Sequence, residues 1–188
     1  MTRWEPNARG RLEQAALDLF GERGFEQTTV EDIATRAGLT KRTFFRHYAD
    51  KREVLFGGGA EFQQVFVDSL AGAPPSATPL EAVAISLQAG GEMLEGRRDF
   101  ARRRQRVIAA NAELRERELV KLASVAAALT EGLHARGVAE PAASLAAETA
   151  MAVFRVAFER WISDPDGQDL RHLVRDSLDE LRAITTGR

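Results

Sequence analysis

Apolar residues recur along this chain at spacings of three and four, and no long run alternates at the spacing of two that marks a half-buried strand. That pattern restricts the fold to packed helices, and nine are predicted between a few clusters of Gly, Pro and Asn/Asp. The first starts near Asn7, carries Leu12, Ala15, Ala16, Leu19 and Phe20 on one stripe and stops at Gly24. Thr28 or Thr29 caps a short second helix with Val30, Ile33, Ala34 and Ala37 on one side, and Gly38 ends it. Thr40 caps a third to about Tyr48, and Asp50 caps a fourth that continues towards Leu70.

That fourth helix contains Gly57, Gly58 and Gly59, each costing a helix interior about 1 kcal/mol relative to alanine. Two readings are open: a compliant hinge, or close packing against another helix. Residues 71–79, rich in Ala, Gly and Pro, form the one clear linker. Beyond it, helices are predicted at Leu80 to Glu95, Phe100 to Ala110, Ala112 to Arg136, Ala142 to Ser163 and Gln168 to Thr185. Leu170, Leu173, Val174, Leu178 and Leu181 give the last a single apolar stripe. The helix before it is apolar around most of its circumference, from Leu145 through Met151 and Phe158 to Trp161, and must bury more than one face. In a chain of 188 residues that implies a subunit interface as well as a core.

With no cysteine, the chain has neither a disulfide framework nor a thiolate metal site. No apolar run approaches the roughly 20 residues of a spanning helix, and the N-terminus lacks the pattern of a signal peptide. A cytoplasmic, nucleoid-associated protein is expected, with no membrane partner. The net charge of -2 hides a local excess of cations. Between Thr40 and Arg52, Lys41, Arg42, Arg46, Lys51 and Arg52 oppose only Asp50, with His47 in addition.

The run from Thr29 to Tyr48 fits a helix-turn-helix. Ala34 is small where two helices cross, Gly38 can take the positive φ of a tight turn, and Ile33, Ala37, Leu39 and Phe44 supply a buried seam. The helix after Gly38 is left with polar and cationic residues outward. Such a helix fits the DNA major groove, where Lys, Arg and Thr bond to base edges and phosphates; a helical hairpin with a solvated basic face would carry the same pattern.

The residues TVEDIA, AGLTKRTFFRHY and DKREVLF within 28–56, preceded by ALDLFGERGF, resemble the N-terminal signature of TetR-family regulators. The resemblance implies an all-α fold with a three-helix helix-turn-helix domain over residues 1–56 and a helical ligand-binding and dimerisation domain over 57–188. It implies a homodimer that binds double-stranded DNA at a roughly palindromic site and releases it to a small-molecule effector, with repression the usual outcome. Thr29 should meet a phosphate, and Thr40, Lys41, Arg42 and Thr43 should face bases or adjacent phosphates, Arg42 foremost as base reader. Arg46, His47 and Lys51 match backbone-contacting positions, although His47 also fits a neutral structural role. Phe45 stands where the family usually has tyrosine, so the stacking surface is kept and the hydroxyl bond to phosphate is lost.

The C-terminal stretches RQRVIAANAELRER, FERWI and DLRHLVRDSLDEL are similar to the C-terminal domain of mycofactocin-type TetR regulators, which implies an acyl-CoA-like or other hydrophobic effector. The last two helices should build the dimer contact. Apolar pocket candidates are Met93, Phe100, Val107, Ile108, Leu122, Val125, Met151, Phe154 and Phe158, most of which read as plain core. Arg104 shares a stripe with Phe100 and Val107 and needs an anion, from the effector or from Glu92 or Glu95. Arg155 among Met151, Phe154 and Phe158 raises the same question, whereas Arg97, Arg98, Arg102, Arg103 and Arg106 read as a solvated face.

No cofactor, metal site or catalytic group is expected. His134, His172 and the scattered carboxylates form no nucleophile and base spacing, metal pair or phosphate loop. The alternative to a regulator is a helical ligand-binding or interaction protein that has lost DNA binding.

Overall fold

The computed structural model describes residues 7–164 and 167–187. Nine α-helices and one 3-10 turn occur among the described residues, with no strand among them: α1 (Ala8–Arg23), α2 (Val30–Arg36), α3 (Lys41–His47), the 3-10 turn (Glu53–Leu55), α4 (Gly59–Ala71), α5 (Pro79–Leu94), α6 (Arg98–Ala109), α7 (Ala112–Ala135), α8 (Ala142–Ser163) and α9 (Leu170–Thr186). The helical content and the N-terminal helix-turn-helix are as the apolar spacing predicts. The fourth helix differs. Rather than running on from Asp50, the chain makes the 3-10 turn, breaks, and resumes as α4 at Gly59. Gly57 and Gly58, each unfavourable in a helix interior, fall in the break, and Gly59 is the first residue of α4.

The chain forms two compact units, residues 1–58 with 103–118, and residues 59–102 with 119–188. The first thus takes in the end of α6 and the start of α7, a stretch the sequence assigned to the second domain. Its core is the stripe of α1 (Leu12, Ala16, Leu19), Ile33 and Ala34 of α2, and Phe44 of α3, joined by Ile108 and Leu114. Polar links bind the 103–118 segment into this unit: Arg103 to Asp18, Arg52 to Glu113, and Arg117 Nε to Glu53 at 2.8 Å.

The second unit packs α4, α5, α8 and α9 on one core, with α7 contributing Val125, Leu129 and Leu133. Aromatic rings run through it, Phe62 to Phe66 at 4.7 Å, Phe66 to Phe154 at 5.5 Å and Phe158 to Trp161 at 5.8 Å. A capping box of Thr78 and Glu81, with Pro79 in the first turn, starts α5. On α8, Ala143, Ala147, Ala150, Phe154, Ala157 and Trp161 are buried, while Leu145 (64% exposed) and Val156 (44%) face outward, as does Ile184 (68%) on α9.

Candidate nucleic-acid interface

The turn between α2 and α3 sets the recognition geometry, and Gly38 makes it possible. Its φ of 66° lies in the left-handed region, and the Leu39 amide donates to Ala34 O at 2.8 Å to close the end of α2. A Cβ on Gly38 would also sit 2.7 Å from Arg11 Nη2, whose guanidinium donates to the carbonyl of Ala37. The backbone sign is what requires glycine, since the Arg11 side chain could shift.

Thr29, the N-cap of α2, is committed within its own capping box. Its hydroxyl accepts from the Asp32 amide at 3.1 Å and donates to Asp32 Oδ2 at 2.7 Å. Those hydrogen bonds from Thr29, with Arg23 3.4 Å away, hold the Asp32 carboxyl below its ordinary pKa. The hydroxyl expected at a phosphate therefore already carries a cap.

Thr40 caps α3, accepting from the Thr43 amide at 3.1 Å, while its hydroxyl lies 3.0 Å from that of Thr43. Phe44 is fully buried and is the pin of this helix; it meets Tyr48 at 5.6 Å and Phe45 edge-on at 5.6 Å. Tyr48 donates its hydroxyl to Glu13 Oε1 at 2.9 Å, and burial followed by the Glu13 charge pushes its pKa up. With Phe44 and Tyr48 turned inward, α3 presents Lys41, Arg42, Phe45, Arg46 and His47 to solvent, Phe45 at 50% exposure. Lys41, Arg42 and Arg46 form no ion pair among the described residues. The arrangement is an exposed cationic ridge with an aromatic ring in its middle, on a helix fixed by one buried phenylalanine.

Lys51, expected at a phosphate, has partners within the chain. Its ammonium donates to the carbonyls of Phe25 (2.9 Å), Thr28 (3.3 Å) and Glu26 (3.4 Å) and lies 4.3 Å from the centre of the Phe25 ring. Asp50 accepts from the amides of Arg52 (2.8 Å) and Glu53 (3.1 Å), so it caps the 3-10 turn rather than a long helix. Its ion pair with Arg52 at 2.6 Å holds its carboxyl below the usual range.

The residues predicted to line an effector pocket fall into both units. Met93, Phe100, Leu122, Val125, Met151, Phe154 and Phe158 belong to the second, where Val125, Met151 and Phe154 are core. Arg104, Val107 and Ile108 belong to the first. Arg104 pairs neither with Glu92 nor with Glu95. Its Nε donates to Leu55 O at 2.7 Å, its Nη1 to Glu118 at 2.8 Å, and its guanidinium lies 4.9 Å from the Phe56 ring centre. Burial lowers its pKa, against the opposing pull of Glu118. Arg155 points to solvent, 3.8 Å from Glu159, because its position on α8 falls outside the buried arc. Nor are the arginines around Arg104 in sequence all solvated: Arg98 lies 5.3 Å from the Trp161 ring centre, and Arg102 Nε donates to Ile162 O at 2.8 Å. Local spacing carries no sign of these carbonyl partners, which lie 60 residues away in the case of Arg102.

Residues 13–56 match the family model for bacterial regulatory proteins of the tetR family, and residues 77–186 match that for the MftR C-terminal domain. The HTH-type transcriptional regulator TcmR of Streptomyces glaucescens is 38% identical over 81 residues, which are 43% of this chain and 36% of that protein. The HTH-type transcriptional repressor KstR2 of Mycobacterium tuberculosis is 43% identical over 47 residues, 25% of this chain and 24% of that one. The chain thus spans about a third or less of the length of these curated relatives. The crystal structure of the transcriptional regulator FadR from Bacillus subtilis in complex with stearoyl-CoA shares the fold, with a TM-score of 0.59 at 23% identity over 90% of this chain and 95% of that one.

Proposed function

Since this chain belongs to the TetR family of bacterial regulatory proteins, with a C-terminal domain of the MftR type, we propose that it is a ligand-responsive transcriptional repressor that grips a palindromic operator as a homodimer. The observation that carries this reading is the α3 ridge, whose Lys41, Arg42 and Arg46 are exposed and unpaired while Phe44 holds the helix from below. Arg42 and Lys41, with Thr40 and Thr43, supply donors for base edges and phosphates, and Arg46 and His47 flank them for the backbone. Phe45 offers its ring to a thymine methyl or a sugar.

Dimerisation is assigned to α8 and α9. Leu145, Val156 and Ile184 stay exposed on helices whose other faces are buried, and a second copy would cover them. The effector is assigned to the second unit, among Phe100, Leu122, Met151, Phe154 and Phe158, with a hydrophobic or acyl-CoA-like molecule as its class. The apolar character of these side chains supports that class, and so does the stearoyl-CoA bound by the structurally similar FadR.

Sequencing the genomic fragments retained by the purified protein, with a gel-shift assay of the recovered site, tests the reading. A palindromic site bound by the wild type, lost in Arg42→Ala and released by a long-chain acyl-CoA, is the expected result. Uniform retention of unrelated fragments, unaffected by Arg42→Ala, would reject it. No helix among the described residues is long and apolar enough to cross a membrane.

A further inference from the structure

A lysine just after a recognition helix invites assignment to a DNA phosphate, but the surroundings of Lys51 point elsewhere. An ammonium has three protons, and three carbonyl oxygens take them: Phe25 at 2.9 Å, Thr28 at 3.3 Å and Glu26 at 3.4 Å. The Phe25 ring, itself buried, covers the same group at 4.3 Å. All three carbonyls belong to the turn joining α1 to α2. That turn is also tied by Thr28, whose amide donates to Phe25 O at 3.3 Å and whose buried hydroxyl donates to Gly24 O at 2.8 Å and reaches Leu19 O at 3.5 Å. Thr29 follows at once as the cap of α2, and α3 packs on α2. We propose that Lys51 is a positioning residue: it straps the α1–α2 turn, and through α2 sets the angle at which α3 meets DNA, without neutralising a phosphate.

This inference rests on the DNA-binding reading, and one of its tests needs no DNA. In Lys51→Met, amide hydrogen exchange over Phe25 to Val30 should quicken markedly against the wild type, while Arg46→Gln leaves it unchanged. Unaltered exchange in Lys51→Met overturns the strap whatever the protein does with DNA. On operator DNA, Lys51→Met should lower specific affinity about tenfold or more and the specific to non-specific ratio with it, as loss of hydrogen bonds from a charged donor implies. The slope of log affinity against log salt should stay that of the wild type. A phosphate contact would instead flatten the slope by about 0.9 per subunit and leave the ratio intact. A purely stabilising lysine would lower the active fraction and move neither. Lys51→Arg separates the readings once more. The longer, planar guanidinium sets its donors in a different geometry from a compact ammonium held 2.9–3.4 Å from these three carbonyls, so it should not rescue the ratio fully, whereas it would restore a phosphate contact.

Discussion

Removing the Arg104 guanidinium tests whether the 103–118 segment is held in the first unit by charge as well as by Ile108 and Leu114. Side chains of Arg104 and Glu118 are each 20% exposed, so solvent screens the pair little. Arg104→Met keeps the apolar stem and deletes the donors. The Leu55 carbonyl loses a charged donor, at a cost of about 1.5–3 kcal/mol. Glu118 is left as a half-buried carboxylate with only Gln105 Nε2, at 3.2 Å, still donating to it. The sum falls in the range of about 3–5 kcal/mol seen when one partner of a buried pair is removed. At about 2–4 °C per kcal/mol for a chain of this size, the thermal midpoint should fall by roughly 6–20 °C. Pairing Arg104→Met with Glu118→Met should recover the part due to the stranded Glu118 carboxylate, because an apolar pair carries no unpaired charge, while the Leu55 carbonyl stays without its donor. Circular dichroism melts of the wild type, both single variants and the double variant give the cycle. A single-variant loss below about 1 kcal/mol, or a double variant as unstable as the sum of the singles, would refute the argument.

Four further outcomes are expected. A Cβ on Gly57 would lie 2.7 Å from Tyr48 Cε1, whereas one on Gly58 meets nothing within 4 Å; urea unfolding should therefore show Gly57→Ala destabilised and Gly58→Ala neutral or stabilised. If Gly58 is also a hinge, Gly58→Ala should blunt effector-induced release in the gel shift while leaving DNA affinity unchanged. The Asp50 carboxyl sits below its ordinary value of 3.8 because of Arg52 and two backbone amides, so its contribution is present above that value and is lost as the pH falls through the lower folded-state pKa. Asp50→Asn should flatten the acid limb of the stability profile and lower stability at neutral pH, and a limb as steep as that of the wild type would contradict the assignment. Phe45→Tyr restores the hydroxyl usual in the family, so affinity for the operator should rise in fluorescence anisotropy; no gain would place the ring away from the phosphates.

Much of the helix-turn-helix unit could be read from the chain because its determinants are local. The Thr29 and Thr40 caps, the positive φ at Gly38 and the buried register of Ile33, Ala34 and Phe44 each depend on residues within a turn or two. The exposed set on α3 follows once Phe44 and Tyr48 are assigned to the core. The apolar circumference of α8 was likewise plain, and the structure leaves part of it, at Leu145 and Val156, uncovered in the single chain.

Tertiary packing decided what local spacing could not. A cation on an apolar stripe signals that an anion or carbonyl is needed, but the identity of that partner depends on which distant backbone passes by. Arg104 found Leu55 and Glu118, Arg102 found Ile162, and Lys51 found the turn at 25–28. The assignment of 103–118 to the first unit has the same origin, since Ile108 and Leu114 look no different in sequence from residues that fill the second core. Helix type, caps and turn signs are set by bonds a few residues long, and so were determined by the sequence alone. Partners for buried charges are set by contacts between segments far apart in the chain, which exist only once the helices have packed.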